Sequence, residues 1–265
     1  MKKLGSVPFL NSQPLTYLFD NNLIDNYITY NYFPSSLLQP LIDKDVFLSL
    51  LSIADHLSNQ EVVSLDNYCI SSYGKVDSVI LISKSNLKDI KLVVQDSRSK
   101  SSNMLFKVIQ EVFLKTKMEY SIGLPSLGME MKNDIGYIII GDLSLEILSS
   151  NPSGLNIYDL GEIWYKETGL PFTFGTYNYI SDPPSELELN YLDNSFKEGI
   201  KSTNAIIETF LIKTGYKIDR KLAHQYLNEK IYYKIEEEHI KGINLFIDLS
   251  AKFANWKKSS FNKKI

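Results

Sequence analysis

Runs of apolar residues with the length of β-strands recur along the first half of the chain. They lie at positions 2–7, 46–51, 76–83, 91–95 and 137–140. These runs are short and rich in Val, Ile or Leu, a pattern typical of strands that are buried or half-buried in a sheet. Most of them are followed by a small or polar loop and then by apolar residues at helical spacing. The chain is therefore predicted to alternate strands with helices.

Helical spacing begins soon after the first strand and fills most of the last third of the chain. Leu15, Leu18 and Phe19 follow the first loop at helical spacing, and Ser12 is the expected N-cap. The other predicted helices cover 104–113, 143–149 with Asp142 as N-cap, 194–213, 219–227 and 236–256. Strands that alternate with helices favour an α/β fold with parallel sheets. No repeat or composition change marks a simple domain boundary, and the Pro/Ser stretch 181–185 is the best candidate for a crossover.

Composition and charge narrow the class of protein. The chain has 265 residues, 44% of them hydrophobic and 22% charged, which is ordinary for a globular protein of one large domain or two smaller lobes. Its 28 basic and 31 acidic residues give a net charge of -3, which argues against a general nucleic-acid binder. The N-terminus shows no signal-peptide pattern, and no apolar run approaches the roughly 20 residues of a membrane span. We expect a soluble, cytoplasmic protein.

The loop at positions 96–102 is the most informative local feature. It precedes the predicted helix 104–113 and contains Ser97, Ser99, Lys100, Ser101 and Ser102. Free backbone N–H groups at a helix N-terminus, together with hydroxyls, form a site for a carboxylate or phosphate. The alternative is that the serines only cap the helix while Arg98 and Lys100 face solvent. The residues alone leave both interpretations open.

Asn11 is the second candidate for ligand contact. It lies in the loop after the first strand, and ligands of open α/β sheets bind at such strand ends. A neutral amide there can hydrogen-bond a hydroxyl or a carboxylate. An asparagine before a helix is, however, also a common cap or turn residue.

Metal sites and catalytic nucleophiles are not indicated. His56, His224 and His239 are scattered along the chain, and Cys69 is the one cysteine. We find no glycine-rich phosphate loop and no nucleophile elbow, and we expect neither a metal nor another cofactor. The residues by themselves predict a cytoplasmic α/β protein with a cleft suited to anions.

Several segments in order along the chain resemble the chorismate dehydratase family of the futalosine route to menaquinone. The opening 4–15, LGSVPFLNSQPL, resembles the family pattern IG-x-x-x-YLN-x-x-P. The other matching segments are SVILIS at 78–83, DSRSKSS at 96–102, IGD at 140–142, and DLGEIW at 159–164 with TGLPF at 168–172. Near the end, YL at 226–227, IYY at 231–233 and the stretch 237–242 resemble the family's last helices. The resemblance covers essentially the whole chain.

This resemblance implies a two-lobed fold similar to type II periplasmic binding proteins, with a cleft between the lobes. The lobes are expected at 1–86 plus 177–265 and at 87–176. The implied reaction removes water from chorismate, a dicarboxylate, to give 3-[(1-carboxyvinyl)oxy]benzoate. No nucleic acid or membrane is implied as a partner, and the oligomeric state is left open.

The resemblance also implies roles for particular residues. Asn11 is expected near the leaving hydroxyl, Ser78 at one carboxylate, and the loop 97–102 at the other, while the substrate's own enolpyruvyl carboxylate accepts the proton. The remaining expected substrate-binding residues are Ser52, Gly141, Asp142, Thr168 and Gly169.

Three positions depart from the family pattern. Lys100 stands where the family has Arg, Tyr177 stands where it has Trp, and the segment 51–55 reads LSIAD instead of SSIEY. Two other functions therefore stay open. One is an enzyme of the 1,4-dihydroxy-6-naphthoate synthase type, although its His-rich opening is absent, and the other is a non-catalytic cytoplasmic protein that binds small anions.

Overall fold

Two β-sheets flanked by helices form the protein in a computed structural model that describes residues 1–256. The strands of the described part are β1 (Lys2–Ser6), β2 (Tyr27–Asn31), β3 (Leu48–Ser52), β4 (Val62–Ser72), β5 (Val79–Ser83), β6 (Leu92–Asp96), β7 (Glu119–Gly123), β8 (Ile135–Ile140), β9 (Asn156–Asp159), β10 (Phe172–Ile180) and β11 (Tyr232–Lys234). The helices are α1 (Gln13–Asp20), α2 (Leu38–Ile42), α3 (Ile53–Ser58), α4 (Lys100–Val108), α5 (Asp142–Ser149), α6 (Leu160–Thr168), α7 (Glu186–Lys201), α8 (Thr203–Thr214), α9 (Arg220–Gln225) and α10 (Glu237–Ser250). The predicted α/β class is confirmed.

Both sheets are mixed, so the prediction of parallel sheets is wrong for some of the strands. The first sheet has the order β11-β4-β10-β3-β1-β2, and the second has the order β7-β6-β8-β5-β9. In the first sheet, β1 is parallel to β2 and β3, but β10 is antiparallel to β3 and β4. In the second sheet, β5 begins where β8 ends, with Val79 opposite Ile140, and the two strands are antiparallel. The two strands that follow a crossing between the sheets, β5 and β10, thus run antiparallel to both of their neighbours.

The chain crosses between the sheets twice. It leaves the first sheet after Ser72 and enters the second at Val79, then leaves the second after Asp159 and returns at Phe172. Positions 181–185 connect β10 to α7, which packs on α1, so the crossover predicted there is wrong. We propose that the lobe boundaries lie at the two observed crossings. This moves β5 into the second lobe and all of β10 into the first.

The residues that the sequence analysis placed at the starts of helices have different roles in the structure. Ser99 is the N-cap of α4, and its Oγ accepts the N–H of Ser102 at 3.2 Å. Ser12 is the N-cap residue of α1, as predicted, but its hydroxyl donates to the carbonyls of Val7 and Phe9 and makes no capping hydrogen bond. Asp142 is the first residue of α5 and not its N-cap, which is Gly141 at a φ of 66°. These loops after β1, β6 and β8 shape the region between the sheets.

The family-like block at 168–172 belongs to the core and to a helix end. Trp164 of α6 is fully buried, and its ring centroid lies 5.4 Å from that of Phe172 and 6.1 Å from that of Phe246. Thr168 donates its hydroxyl to the carbonyl of Trp164 at 2.8 Å, and Gly169 ends the helix at a φ of 70°. A left-handed residue at this position is the usual helix C-terminal glycine.

The C-terminal helices pack closely on the first strand-loop-helix unit. The predicted helix over 194–213 consists of α7 and α8, which are separated at Ser202. Gly199 of α7 lies so close to α1 that a Cβ there would be 2.2 Å from the carbonyl oxygen of Pro14. The loop that carries Asn11 is therefore supported directly by α7.

We expect Gly199→Ala to lower the free energy of unfolding by about 1–3 kcal/mol, because a methyl group at this contact forces the helices apart. Alanine otherwise favours helices over glycine by about 1 kcal/mol, so the sign of the effect is informative. Denaturant unfolding measures it, with Asn204→Ala on the exposed face of α8 as the control. A Gly199→Ala protein as stable as the wild type would contradict the close contact.

Candidate functional site

A cavity between the two sheets is the candidate site. It comprises about 580 Å³ of empty space, a figure that includes space open to solvent. Val7 follows β1 and Ser52 ends β3 on one side, while Ile140 ends β8 on the other side. The carboxyl ends of these strands meet at the cavity, which is where α/β sheets bind ligands.

The lining of the cavity combines apolar walls with neutral hydrogen-bonding groups. The apolar part includes Phe9, Leu50, Ile70, Val79, Ile140 and Phe174. The polar side chains are those of Asn11, Ser52, Ser78, Ser99, Ser101 and Ser102, all of them buried. Among the described residues that line the cavity, none is Asp, Glu, His, Cys, Tyr, Lys or Arg. The site can therefore bind anionic groups with hydroxyls, an amide and backbone N–H groups, but its walls supply no titratable side chain.

The structure brings together seven of the residues that the sequence analysis selected. They are Asn11, Ser52, Ser78, Ser99, Ser101, Ser102 and Gly141. Those residues come from five separate segments of the chain. Each was selected for its place at a strand end, its place at a helix start or the family resemblance.

Five of the selected residues do not line the cavity: Ser97, Lys100, Asp142, Thr168 and Gly169. Ser97 is exposed, and its N–H donates to the carbonyl of Gly123 at 2.9 Å. Thr168 and Gly169 form the C-terminal end of α6, as described above. The TGLPF block to which they belong packs into the core through Phe172. For these three residues we no longer assign substrate contact.

Lys100 bridges two helices that belong to different sheets. Its Nζ lies 2.6 Å from a carboxylate oxygen of Asp55, which is buried at the start of α3, while the Lys100 side chain is 55% exposed. Next to this pair, the N–H of Ala54 donates to the Ser101 hydroxyl at 2.9 Å. Exposure of the lysine limits the ion pair to at most about 1 kcal/mol. Lys100 therefore joins α3 to α4 at the edge of the cavity.

The N-terminus of α4 serves both as a capped helix end and as part of the cavity wall. Ser99 donates its hydroxyl to the Ser102 hydroxyl at 2.9 Å. Ser101 and Ser102 accept hydrogen bonds in these contacts, so their own hydroxyl hydrogens are left for a group in the cavity. The two interpretations of the serine loop are thus compatible. Arg98, in contrast, forms a two-point contact with Asp96, at 2.9 and 2.5 Å, outside the lining.

Asn11 is held by a residue that the sequence analysis did not select. Its Nδ2 donates to the hydroxyl of Tyr226 at 2.8 Å. Burial raises the pKa of Tyr226 well above its usual value, so the phenol stays neutral. The Oδ1 of Asn11 is buried and has no partner among the described residues. The sequence signal for Tyr226 is its place in a segment that echoes the family's last helices.

Asp142 lies just behind the cavity wall. Its carboxylate accepts the N–H of Leu10 at 3.0 Å, which joins the loop after β1 to the loop after β8. The Phe9 ring packs beside this bond, and a Cβ on Gly141 would lie 2.7 Å from that ring. Burial raises the pKa of Asp142 to about 7, while its backbone hydrogen bonds and the charge of Arg98 act in the opposite direction.

Metal ligation has no support in residues 1–256, where no group of three or more His, Cys, Asp or Glu side chains is placed to hold an ion. His56 lies with Nδ1 2.7 Å from Oδ1 of Asn178, and His239 accepts the N–H of Glu236 at 3.1 Å. Cys69 is buried, and burial raises its pKa to about 12. In the same part of the chain no helix is both long and apolar enough to span a membrane.

Comparison with known sequences finds relatives with a named activity. A family profile described as menaquinone biosynthesis matches residues 2–252. A chorismate dehydratase of Thermus thermophilus is 24% identical over 263 residues, which cover 92% of this chain and 93% of the relative. A chorismate dehydratase of Campylobacter jejuni is 31% identical over 122 residues, which cover 46% of this chain and 52% of the relative.

Comparison with solved structures identifies the fold. A protein of Archaeoglobus fulgidus superposes with a TM-score of 0.74 at 14% identity, covering 94% of this chain and 96% of that one. The alkanesulfonate-binding protein SsuA of Xanthomonas axonopodis gives 0.63 at 11% identity, with coverages of 95% and 92%. A Candida albicans protein with the generic periplasmic binding protein fold gives 0.62 at 12% identity, with coverages of 98% and 92%. The predicted periplasmic-binding-protein-like fold is confirmed.

Proposed function

The chain belongs to the menaquinone-biosynthesis family, and from this premise we propose that it is a chorismate dehydratase of the futalosine pathway. The enzyme would be a lyase that converts chorismate into 3-[(1-carboxyvinyl)oxy]benzoate and water. The name that both relatives carry supports this activity. The proposed substrate is a small dianion, and no nucleic acid, membrane or cofactor is part of the proposal.

The neutral, hydroxyl-rich cavity is the observation that supports this function most directly. Chorismate carries two carboxylates, and helices α4 and α5 both begin at the cavity, at Ser99 and Gly141. Free N–H groups and the positive end of the helix dipole favour negative charge at such positions. Apolar walls such as Phe174 suit the ring of the substrate. A dianion can thus be bound without a cationic side chain in the lining.

We assign roles to the polar side chains by their place in the cavity. Ser78 would donate to one carboxylate, and the serines at the start of α4, assisted by Ser52, would donate to the other. Asn11, with its unpartnered Oδ1, would contact the substrate near the leaving hydroxyl. These contacts would fix the orientation of the breaking bonds, which is a large part of what an enzyme contributes to such a reaction.

Proton transfer in this reaction balances within the substrate. The ring loses a proton from the carbon that bears the enolpyruvyl ether, and it loses the hydroxyl from the neighbouring carbon, so that the electron pair of the C–H bond completes the aromatic ring. Because no lining residue in the described chain is titratable, the enolpyruvyl carboxylate of the substrate would accept the proton. The same proton then leaves with the hydroxyl as water. The cavity would supply position and a dry environment.

Incubation of the purified protein with chorismate tests the proposal. The expected result is the appearance of the aromatic enolpyruvyl ether, followed by its ultraviolet absorbance and by mass spectrometry. Chorismate without protein is the control for spontaneous decay. Binding without conversion would indicate a small-anion-binding protein. If the protein neither binds nor converts chorismate, the proposed substrate is rejected. The search would then turn to later steps of the same route.

A further inference from the structure

Tyr226 hydrogen-bonds a polar side chain of the cavity although it does not line the cavity itself. It begins a π-helical segment, Tyr226–Lys230, that follows α9, and its side chain is fully buried. Its hydroxyl accepts the Nδ2 hydrogen of Asn11 at 2.8 Å. Asn11 follows β1 in the first sheet, so the C-terminal segment reaches the cavity through this one side chain.

The hydrogen-bond direction at this phenol follows from simple counting. The Asn11 amide donates to Tyr226 through Nδ2, so the phenol oxygen is an acceptor there. An amide carries its hydrogens on the nitrogen alone, so once Nδ2 points at the phenol, Oδ1 lies on the other side of the group as an acceptor. The Oδ1 of Asn11 is buried and has no partner among the described residues.

The same π-helical segment also fixes the backbone before Ser78. Lys230 forms an ion pair with the buried carboxylate of Asp77. Asp77 has a φ of 62°, a conformation that residues with a Cβ rarely adopt. Its N–H donates to Asp159 at 2.6 Å, and its carbonyl accepts the Ser144 hydroxyl. Side chain and backbone of Asp77 are therefore both held, and π-helical turns are frequent at functional sites.

We infer that Tyr226 is a positioning residue that orients the Asn11 amide, so that Oδ1 of Asn11 accepts a hydrogen bond from the bound substrate, with Lys230 anchoring the segment. The consequence for turnover rests on the proposed function. The geometric part of the inference, the orientation of the Asn11 amide by Tyr226, does not.

Tyr226→Phe is the test variant, and Tyr233→Phe is its matched control. Tyr233 lies in the same C-terminal segment and is buried, but its hydroxyl has no partner among the described residues. For Tyr226→Phe we expect kcat to fall about 10- to 100-fold, the range for loss of a residue that orients a functional group, with KM changed less than about threefold. Tyr233→Phe should retain wild-type kcat. Equal kcat values for Tyr226→Phe and the wild type would overturn the inference.

A double variant shows whether Tyr226 acts through Asn11. If it does, adding Tyr226→Phe to Asn11→Ala should not lower kcat further, because the group that it positions is already absent. If the fold loss of kcat in the double variant equals the product of the two single losses, Tyr226 acts by another route. That result would overturn the inference.

Nuclear magnetic resonance of the Asn11 side-chain amide tests the geometry without any turnover. In the wild-type protein, the Nδ2 proton that is bonded to Tyr226 should exchange slowly with solvent, and its signal is assigned by its loss in Asn11→Ala. Tyr226→Phe should shift this signal and speed its exchange, and Tyr233→Phe should not. Rapid exchange in the wild type overturns the inference even where Tyr226→Phe does not fold. An inactive wild-type protein that shows slow exchange rejects the proposed function alone.

Discussion

Replacement of Asn11 by alanine is expected to lower kcat about 100- to 1000-fold, the loss that follows removal of one group that contacts the transition state. The residue lies at the loop after β1, is 8% exposed and lines the cavity. Its buried Oδ1 lacks a partner in the described chain, so a ligand can use it without breaking an existing bond. The expected measurement is steady-state turnover of chorismate.

Stability should change far less than turnover in this variant. Asn11 contributes one side-chain hydrogen bond, to Tyr226 at 2.8 Å, and such a bond is worth about 1 kcal/mol. The change in the free energy of unfolding should therefore stay near that value. Asn21→Ala is the control, because this exposed asparagine follows α1 on its far side from the cavity. Turnover by Asn11→Ala at the wild-type rate would remove Asn11 from the proposed mechanism.

Local signals in the sequence located the strand-loop-helix units that supply the cavity wall. The loops after β1 and β6 were selected because a strand, a polar loop and a helical pattern follow one another within about 20 residues. The serines of α4 and Asn11 lie where this reasoning placed them. Ser78 and Ser52 were selected through the family resemblance, and they line the cavity as well.

Long-range pairing explains what the sequence did not show. β10 lies between β3 and β4, whose residues precede it by more than 90 positions, so no local pattern indicates that it belongs to the first sheet. Phe174 and Gly175 of this strand line the cavity and were not selected. Tyr226 was missed for the same reason, because it meets Asn11 across 215 positions of the chain. A contact of this kind depends on the packing of whole elements.

The cavity has no charged side chain in its lining, and the charged groups around it are arranged in ion pairs. The net charge is -3, yet the cations that contact residues next to the lining are already paired, Arg98 with Asp96, Lys100 with Asp55 and Lys230 with Asp77. Attraction for a dianion must then come from dipoles at the helix starts and from hydroxyls. A buried negative charge near the wall would oppose this attraction, which makes the protonation of Asp142 important.

Asp142 faces few compensating charges. Arg98, Tyr216 and Tyr226 are the titratable groups that interact with it, and Arg98 is shared with Asp96. Because burial raises its pKa to about 7 from 3.8, the carboxyl is largely neutral in the folded protein below pH 7. Its contribution to stability is full below about pH 4 and is lost as the pH rises through 7. The free energy of unfolding therefore falls between about pH 4 and pH 7, and Asp142 lowers it no further at higher pH.

Substrate affinity should follow the same titration. Above pH 7, Asp142 places a negative charge directly behind Gly141, so we expect the KM for chorismate to rise by up to about tenfold per pH unit. Binding of the dianion should in turn raise the pKa of Asp142 and take up a proton near pH 8. Calorimetry in two buffers of different ionisation enthalpy measures this uptake.

Asp142→Asn should make KM nearly independent of pH between 6 and 9 and should abolish the proton uptake, because the amide keeps the acceptor for the Leu10 N–H but carries no charge. Asp134→Asn is the matched control, since Asp134 is exposed and pairs with Lys91, which holds its pKa below the usual value. In the Asp134→Asn protein, KM should depend on pH as it does in the wild type. A rise in KM with pH that persists unchanged in Asp142→Asn would show that another group titrates, because the substrate carboxylates are already ionised throughout this range.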